Sequence, residues 1–117
     1  KNVPAGEHGI HINEVGKCEK PSFESAGSHF NPMNKKHGIN NPQGAHAGDL
    51  PNVTPEEDGT LQVQFVAKAV TLEKGMENSL LDEDGSALVL HDGPDDYVTD
   101  PAGNSGPRIA CGVITTE

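Results

Sequence analysis

The chain has 117 residues, and eighteen acidic against eight basic side chains give a formal charge of −10. The length fits one domain, and the acidic balance argues against general nucleic-acid binding, which needs clustered Lys and Arg. No apolar run approaches the roughly 20 residues of a membrane span, and 14 Gly with 9 Pro favour turns over helix, hence an all-β or loop-rich domain.

Residues 9–14 read GIHINE, and Ile10 and Ile12 alternate with His11 and Asn13. That is the period of a half-buried strand. Residues 17–50 are rich in Gly, Pro, Asn and Ser without a sustained period. A connection so long inside a compact domain is usually functional. Residues 61–67 (LQVQFVA) place Leu61, Val63, Phe65 and Ala67 on one face and the two Gln on the other, after an Asp58-Gly59 turn signal. In residues 70–81, Leu72, Met76 and Leu80 sit at helical spacing but Gly75 interrupts them, which suits a short strand, a turn and a second short strand. Asp84-Gly85 marks another turn before the apolar strand ALVLH at 87–91. A second long loop covers 92–107, and IACGVIT at 109–115 reads as the last strand.

Cys18 and Cys111 permit one intramolecular disulfide or two unrelated thiols. A disulfide implies an oxidising compartment outside the cytoplasm. Three of the six histidines, His29, His37 and His46, fall with Asp49 in the first long loop as H-x7-H-x8-H-x2-D. Three imidazoles and a carboxylate make a complete tetrahedral set for Zn²⁺. Such an ion would order a loop poor in apolar residues. His11 and Asn13, at i and i+2 on a strand, project from one face. With His29 and His91, His11 forms an incomplete nitrogen set that suits copper when a fourth nitrogen is available. His8 reads as structural.

On these residues the chain resembles the copper/zinc superoxide dismutase family. The matching segments are HGIHINEVGKC, ESAGSHFNPMNKKHG, AHAGDL, ALVLHDGPDD and GNSGPRIACGVI, in family order from His8 to Ile114. The wording is closest to Gram-positive bacterial members. The resemblance implies an eight-stranded Greek-key antiparallel β-barrel, a flattened sandwich of immunoglobulin-like architecture, with residues 1–117 as a single domain. It implies that His29 bridges copper and zinc, that His37, His46 and Asp49 complete the zinc site, and that His11 and His91 bind copper. It pairs Cys18 with Cys111 and makes Arg108 the group that guides and holds the superoxide anion. Asp95 becomes the carboxylate linking a copper-ligand His to a zinc-ligand His. The homodimeric or monomeric state is left open, and an extracytoplasmic location is implied.

Two departures stand out. Asn13 occupies the place of a fourth copper-ligand His, and an Asn oxygen or a water is a poorer donor than imidazole. The resemblance also implies three strands ahead of the HGIH segment, which a chain opening at Lys1 does not contain, leaving about five of eight. The expected activity is superoxide dismutation, reduced by Asn13. A zinc-stabilised scaffold without catalysis and a copper-binding buffer are the alternatives.

Overall fold

A computed structural model describes residues 3–62, 69–73, 75–99 and 102–114. Three antiparallel strands carry the fold: β1 (Ile10–Asn13), β2 (Ala87–His91) and β3 (Arg108–Val113), in the order β1-β2-β3. A 3-10 turn at Glu24–Ala26 is the one helical element among the described residues.

The alternation in β1 decides which side of the sheet does what. Ile10 and Ile12 face one side, where they join Phe30, Leu50, Val53, Leu80 and Leu90 in the larger core cluster. His11 and Asn13 face the other. In register, His11 lies opposite Val89 and Asn13 opposite Ala87. Ala87 and Val89 form a second, smaller cluster with Ala26, against which Cys18 and Cys111 pack. One face is therefore apolar core. The other carries His11, Asn13 and His91 around small apolar residues.

A register irregularity between Leu90 and His91 sets the last position on that face. Ala87 pairs with Val113 and Leu90 with Ala110, but His91 pairs with Arg108 where unbroken register would present Ile109. A bulge re-aims side chains by one residue. Here it brings Arg108 to the histidine side and leaves Ile109 packed against the larger core.

The first long loop is anchored along the free edge of β1. Isolated antiparallel bridges join His8 to Val53, His11 to Asp49 and Asn13 to His29. Backbone bonds from Ile12 N to Gly48 O and from Phe30 N to Ile12 O hold it there. Gly48 is needed for this approach, since a Cβ there would sit 2.2 Å from the Ile12 carbonyl oxygen. The disulfide Cys18–Cys111 spans a sequence separation of 93 and ties the start of the loop to β3.

The strand expected at 87–91 is present with those bounds, that at 9–14 is trimmed by a residue at each end, and that at 109–115, whose last residue lies outside the described residues, begins one residue earlier and ends at Val113. The strand expected at 61–67 falls largely outside the described residues. The pair expected in 70–81 is reduced to a single bridge between Thr71 and Ser79. Leu72 and Met76 are exposed there, and Leu80 packs into the larger core with Val70 against it, so the segment is held by the core rather than by a strand pair of its own.

Candidate metal centre

Three histidines from the first loop converge on one carboxylate oxygen of the same loop. The Nδ1 atoms of His29, His37 and His46 lie 3.1, 3.0 and 3.4 Å from Asp49 Oδ1. His29 Nδ1 is 3.1 Å from His46 Nδ1. A tetrahedral zinc with bonds near 2.0–2.1 Å has donor–donor edges of about 3.3 Å, and these four separations lie close to that length. Asp49 Oδ2 faces the other way and accepts the backbone N–H groups of Gly38 and His46, both at 3.0 Å. The Asp49 side chain is fully buried. Burial alone would raise its pKa, but hydrogen bonds from the three histidines outweigh this and hold it far below the usual carboxylate range.

A second group surrounds this cage. His11 Nε2 donates to Asp95 Oδ2 at 2.7 Å, and His37 Nε2 donates to Asp95 Oδ1 at 2.8 Å. His91 Nδ1 donates to the Gly106 carbonyl at 2.8 Å. These acceptors fix which ring nitrogen carries the proton. His11 Nδ1 and His91 Nε2 are thereby left with free lone pairs, and both are buried without a partner. The rings of His11 and His29 are 4.1 Å apart, and those of His11 and His91 5.1 Å. His11, His29, His37 and Asp49 each bring a donor atom within 4.8 Å of the others.

Burial lowers the pKa of His11, His29 and His91, against the opposing hydrogen bonds each makes. His37 goes the other way. Burial would lower it, but contacts with two carboxylates raise it to about 9. Asp95 is held well below its ordinary value: burial opposes the shift, while His11, His37 and the Tyr97 N–H outweigh it.

Arg108 reaches across the sheet face. Its Nη1 donates to Phe23 O at 2.7 Å and its Nη2 to Gly27 O at 2.6 Å. It lines a cavity of about 510 Å³ with His91, Gly106, Pro107, Ser22 and Glu24. A separate cavity of about 490 Å³ opens beside His29 and His46 and is lined by Lys35, Lys36 and Glu14. His8 stays out of both; its ring nitrogens face the carbonyls of Pro4 and His91 at 2.6 and 2.8 Å.

Three supports were not read from the sequence. Asn52 clamps the Asp95 backbone, donating to its carbonyl at 2.9 Å and accepting its N–H at 2.8 Å. The Tyr97 hydroxyl accepts the Asn52 N–H at 2.9 Å. Gly103, at φ +67°, leaves room for the carboxylate, since a Cβ there would meet Asp95 Oδ1 at 1.9 Å. The glycine was the one visible signal, and it stands among many others in the second loop.

Fold and site together define an all-β protein with a buried His/Asp donor set for metal ions. The family model for copper/zinc superoxide dismutase (SODC) matches residues 1–114. Superoxide dismutase (Cu-Zn) 1 of Aquifex aeolicus is 57% identical over 111 residues, covering 95% of this chain and 66% of that protein. The superoxide dismutase-like protein YojM of Bacillus subtilis is 53% identical, covering 95% of this chain and 57% of its own. A crystal structure of a SOD-like protein from Bacillus subtilis superposes with a TM-score of 0.92 at 53% identity, covering 96% of this chain and 74% of that one. The chain belongs to the copper/zinc superoxide dismutase family. Its fold class is that family's Greek-key antiparallel sandwich, of which the described residues show three strands. The chain spans 57–66% of the length of these curated relatives.

Proposed function

We infer that the protein dismutes superoxide to O₂ and H₂O₂ at a copper site joined through His29 to a structural zinc, with activity lowered by Asn13. The observation that carries this reading is the pair of buried nitrogens, His11 Nδ1 and His91 Nε2, unpartnered among the described residues, with His91 lining a cavity that also presents Arg108. A buried acceptor without a partner is costly, and a metal removes that cost.

In this reading His29, His37, His46 and Asp49 hold zinc, while His11, His29 and His91 hold copper. Copper supplies the one-electron redox change that converts two superoxide ions and two protons to O₂ and H₂O₂. The protein's own part is positioning and charge. His29 commits Nδ1 to the cage, so its Nε2 is the atom able to take up a proton and return it. Asp95 orients His11 and His37 together, as outer carboxylates do at metal sites. Arg108 supplies local positive charge for an anion in a chain whose net charge repels it. The disulfide supports an extracytoplasmic setting. Residues 1–117 act as one superoxide dismutase-like domain.

The test is metal content of the purified protein together with superoxide decay, before and after Asn13→His. Copper and zinc bound, with a measurable rate that rises at least tenfold in the variant, is the expected result. Zinc with neither copper nor activity in both forms would instead make the chain a zinc-stabilised scaffold, the reading that Asn13 favours.

A further inference from the structure

We propose that Asn13 is itself a metal ligand: its Oδ1 is the fourth donor of the site formed by His11, His29 and His91, which makes that site three nitrogens and one oxygen. This rests on the copper assignment above and names what fills its open corner.

The amide is held in one orientation. Asn13 is fully buried, and its Nδ2 donates to the Gly27 carbonyl at 2.8 Å. That carbonyl can only accept, so the nitrogen must face it and the oxygen must face away. Arg108 Nη2 donates to the same carbonyl at 2.6 Å, which fixes the carbonyl in turn. The outward Oδ1 is buried and has no partner among the described residues. Buried polar atoms in native proteins nearly always have one, and an exception calls for an explanation such as an ion.

Where the oxygen lies supplies that explanation. Asn13 shares the strand face of His11 by the two-residue period of β1. It also lies opposite His29 through an antiparallel bridge, a relation that brings side chains to the same face with Cβ atoms about 4.5–5.5 Å apart. His11 Nδ1 and His91 Nε2 are the other unpartnered atoms of this face. Three lone-pair donors without a hydrogen to share cannot satisfy one another. A cation satisfies all three. An amide oxygen is a harder and weaker donor to Cu(II) than imidazole, so the site should bind Cu(II) but less tightly than a four-nitrogen one.

The experiment is Cu(II) titration of the zinc-loaded, disulfide-intact protein, followed by electron paramagnetic resonance, for the parent chain and the variants Asn13→Ala, Asn13→Asp and Asn13→His. Zinc content and the disulfide are checked in each. The parent should bind one Cu(II) with hyperfine structure from three nitrogens. Asn13→Ala should weaken binding at least tenfold and shift the spectrum. Asn13→Asp keeps the oxygen and loses the N–H donor, so it should bind within about tenfold of the parent or tighter. Asn13→His should show four nitrogens.

Unchanged affinity and spectrum in Asn13→Ala overturn the inference and leave the three-histidine assignment standing. Equal loss in Asn13→Ala and Asn13→Asp also overturns it, because the residue then acts through its bond to Gly27. Copper bound by Asn13→His and not by the parent does the same. No copper in any form overturns the parent assignment and this inference with it.

Discussion

The two halves of the donor cluster are built on opposite plans. On the loop side, His29, His37 and His46 each meet Asp49 at 3.0–3.4 Å and His29 meets His46 at 3.1 Å, and the carboxylate's second oxygen is tied to backbone. On the sheet side, His11, Asn13 and His91 are tied at their far ends to Asp95, Gly27 and Gly106, and their near ends meet no hydrogen-bond partner among the described residues. The first plan suits an ion that stays. The second leaves donor atoms uncommitted, and one of their residues, His91, lines a cavity together with Arg108, as an ion that must meet a substrate requires.

The largest expected effect follows from the closed half. Asp49→Ala should abolish zinc retention, measured as metal per chain after dialysis; one zinc retained would show the cage does not depend on its carboxylate. Chelation of the intact protein should lower its melting temperature by roughly 15 °C, since a ligand at a thousand times its Kd contributes about 4 kcal/mol and each kcal/mol shifts a domain this size by about 4 °C. The metal-free protein should then show a stability maximum near pH 6.5. His37, raised to about 9, contributes stability that is full below its unfolded value of about 6.5 and is lost as pH climbs toward 9. His11, His29 and His91 are lowered, so the unfolded chain takes up their protons first and stability falls below about 6.5. The lowered Asp49 and Asp95 add stability present above about 3.9 and lost as acid titrates them. His37 would hold zinc through Nδ1 without the extra proton, so urea midpoints of the zinc form should stay level from pH 6.5 to 9. A level profile in the metal-free form would contradict the paired carboxylates' hold on His37.

Next comes the disulfide. Closing a loop of this length restricts the unfolded chain by up to about 4–5 kcal/mol in the chain-entropy description. Its local consequence is uneven. Cys18 pins the segment whose Phe23 and Gly27 carbonyls hold Arg108, whereas the zinc donors are anchored along β1. Cys18→Ser with Cys111→Ser should therefore lower global stability and weaken copper binding while the zinc-loaded cage keeps its ion. Loss of zinc in that variant would erase the proposed independence of the two halves.

Asp95 is the carboxylate that touches both halves. Asp95→Ala removes the acceptor that fixes His11 and one of the two on His37. Loss of such outer partners typically costs 10–100-fold in metal affinity. The copper side should show that loss. The zinc side should lose less, because Asp49 remains 3.0 Å from His37 Nδ1. Separate titrations with the two metals decide; equal losses would mean the cage is no better braced than its neighbour.

What was legible in the sequence divides along the same line. Alternation in β1 and the donor chemistry of His29, His37, His46 and Asp49 are local facts of residue type, so the strand and the cage could be read directly. The orientation of the open half could not. It depends on main-chain carbonyls at Phe23, Gly27 and Gly106, which no side chain announces, and on a register break at Leu90/His91 that moves Arg108 to the histidine face. Asn52 and Tyr97 brace Asp95 from more than one loop, a tertiary arrangement without a short-range pattern. Residues 70–81 misled for the opposite reason. Their apolar spacing is real, but Leu72 and Met76 point to solvent.

The smallest expected effect concerns charge at the two openings. Lys35 and Lys36 line the cavity beside His29 and His46, whereas the cavity that presents His91 and Arg108 carries Glu24 at its wall. Two lysines and Glu14 thus stand over the closed half, whereas Glu24 shares with Arg108 the wall where an anion would enter the open one. Glu24 is exposed, so water and salt screen it, and the screening length is about 10 Å at 0.1 M ionic strength. In copper-loaded protein, Glu24→Gln should raise the rate constant for superoxide loss by about twofold at low salt, with the gain shrinking as salt is added. Glu24→Lys should raise it further, and Lys35→Gln with Lys36→Gln should leave it nearly unchanged. Copper and zinc content must match the parent in every variant. A larger fall from the lysine pair than the gain at Glu24 would show that the anion approaches over the cage, and the assignment of closed and open halves would have to be reversed.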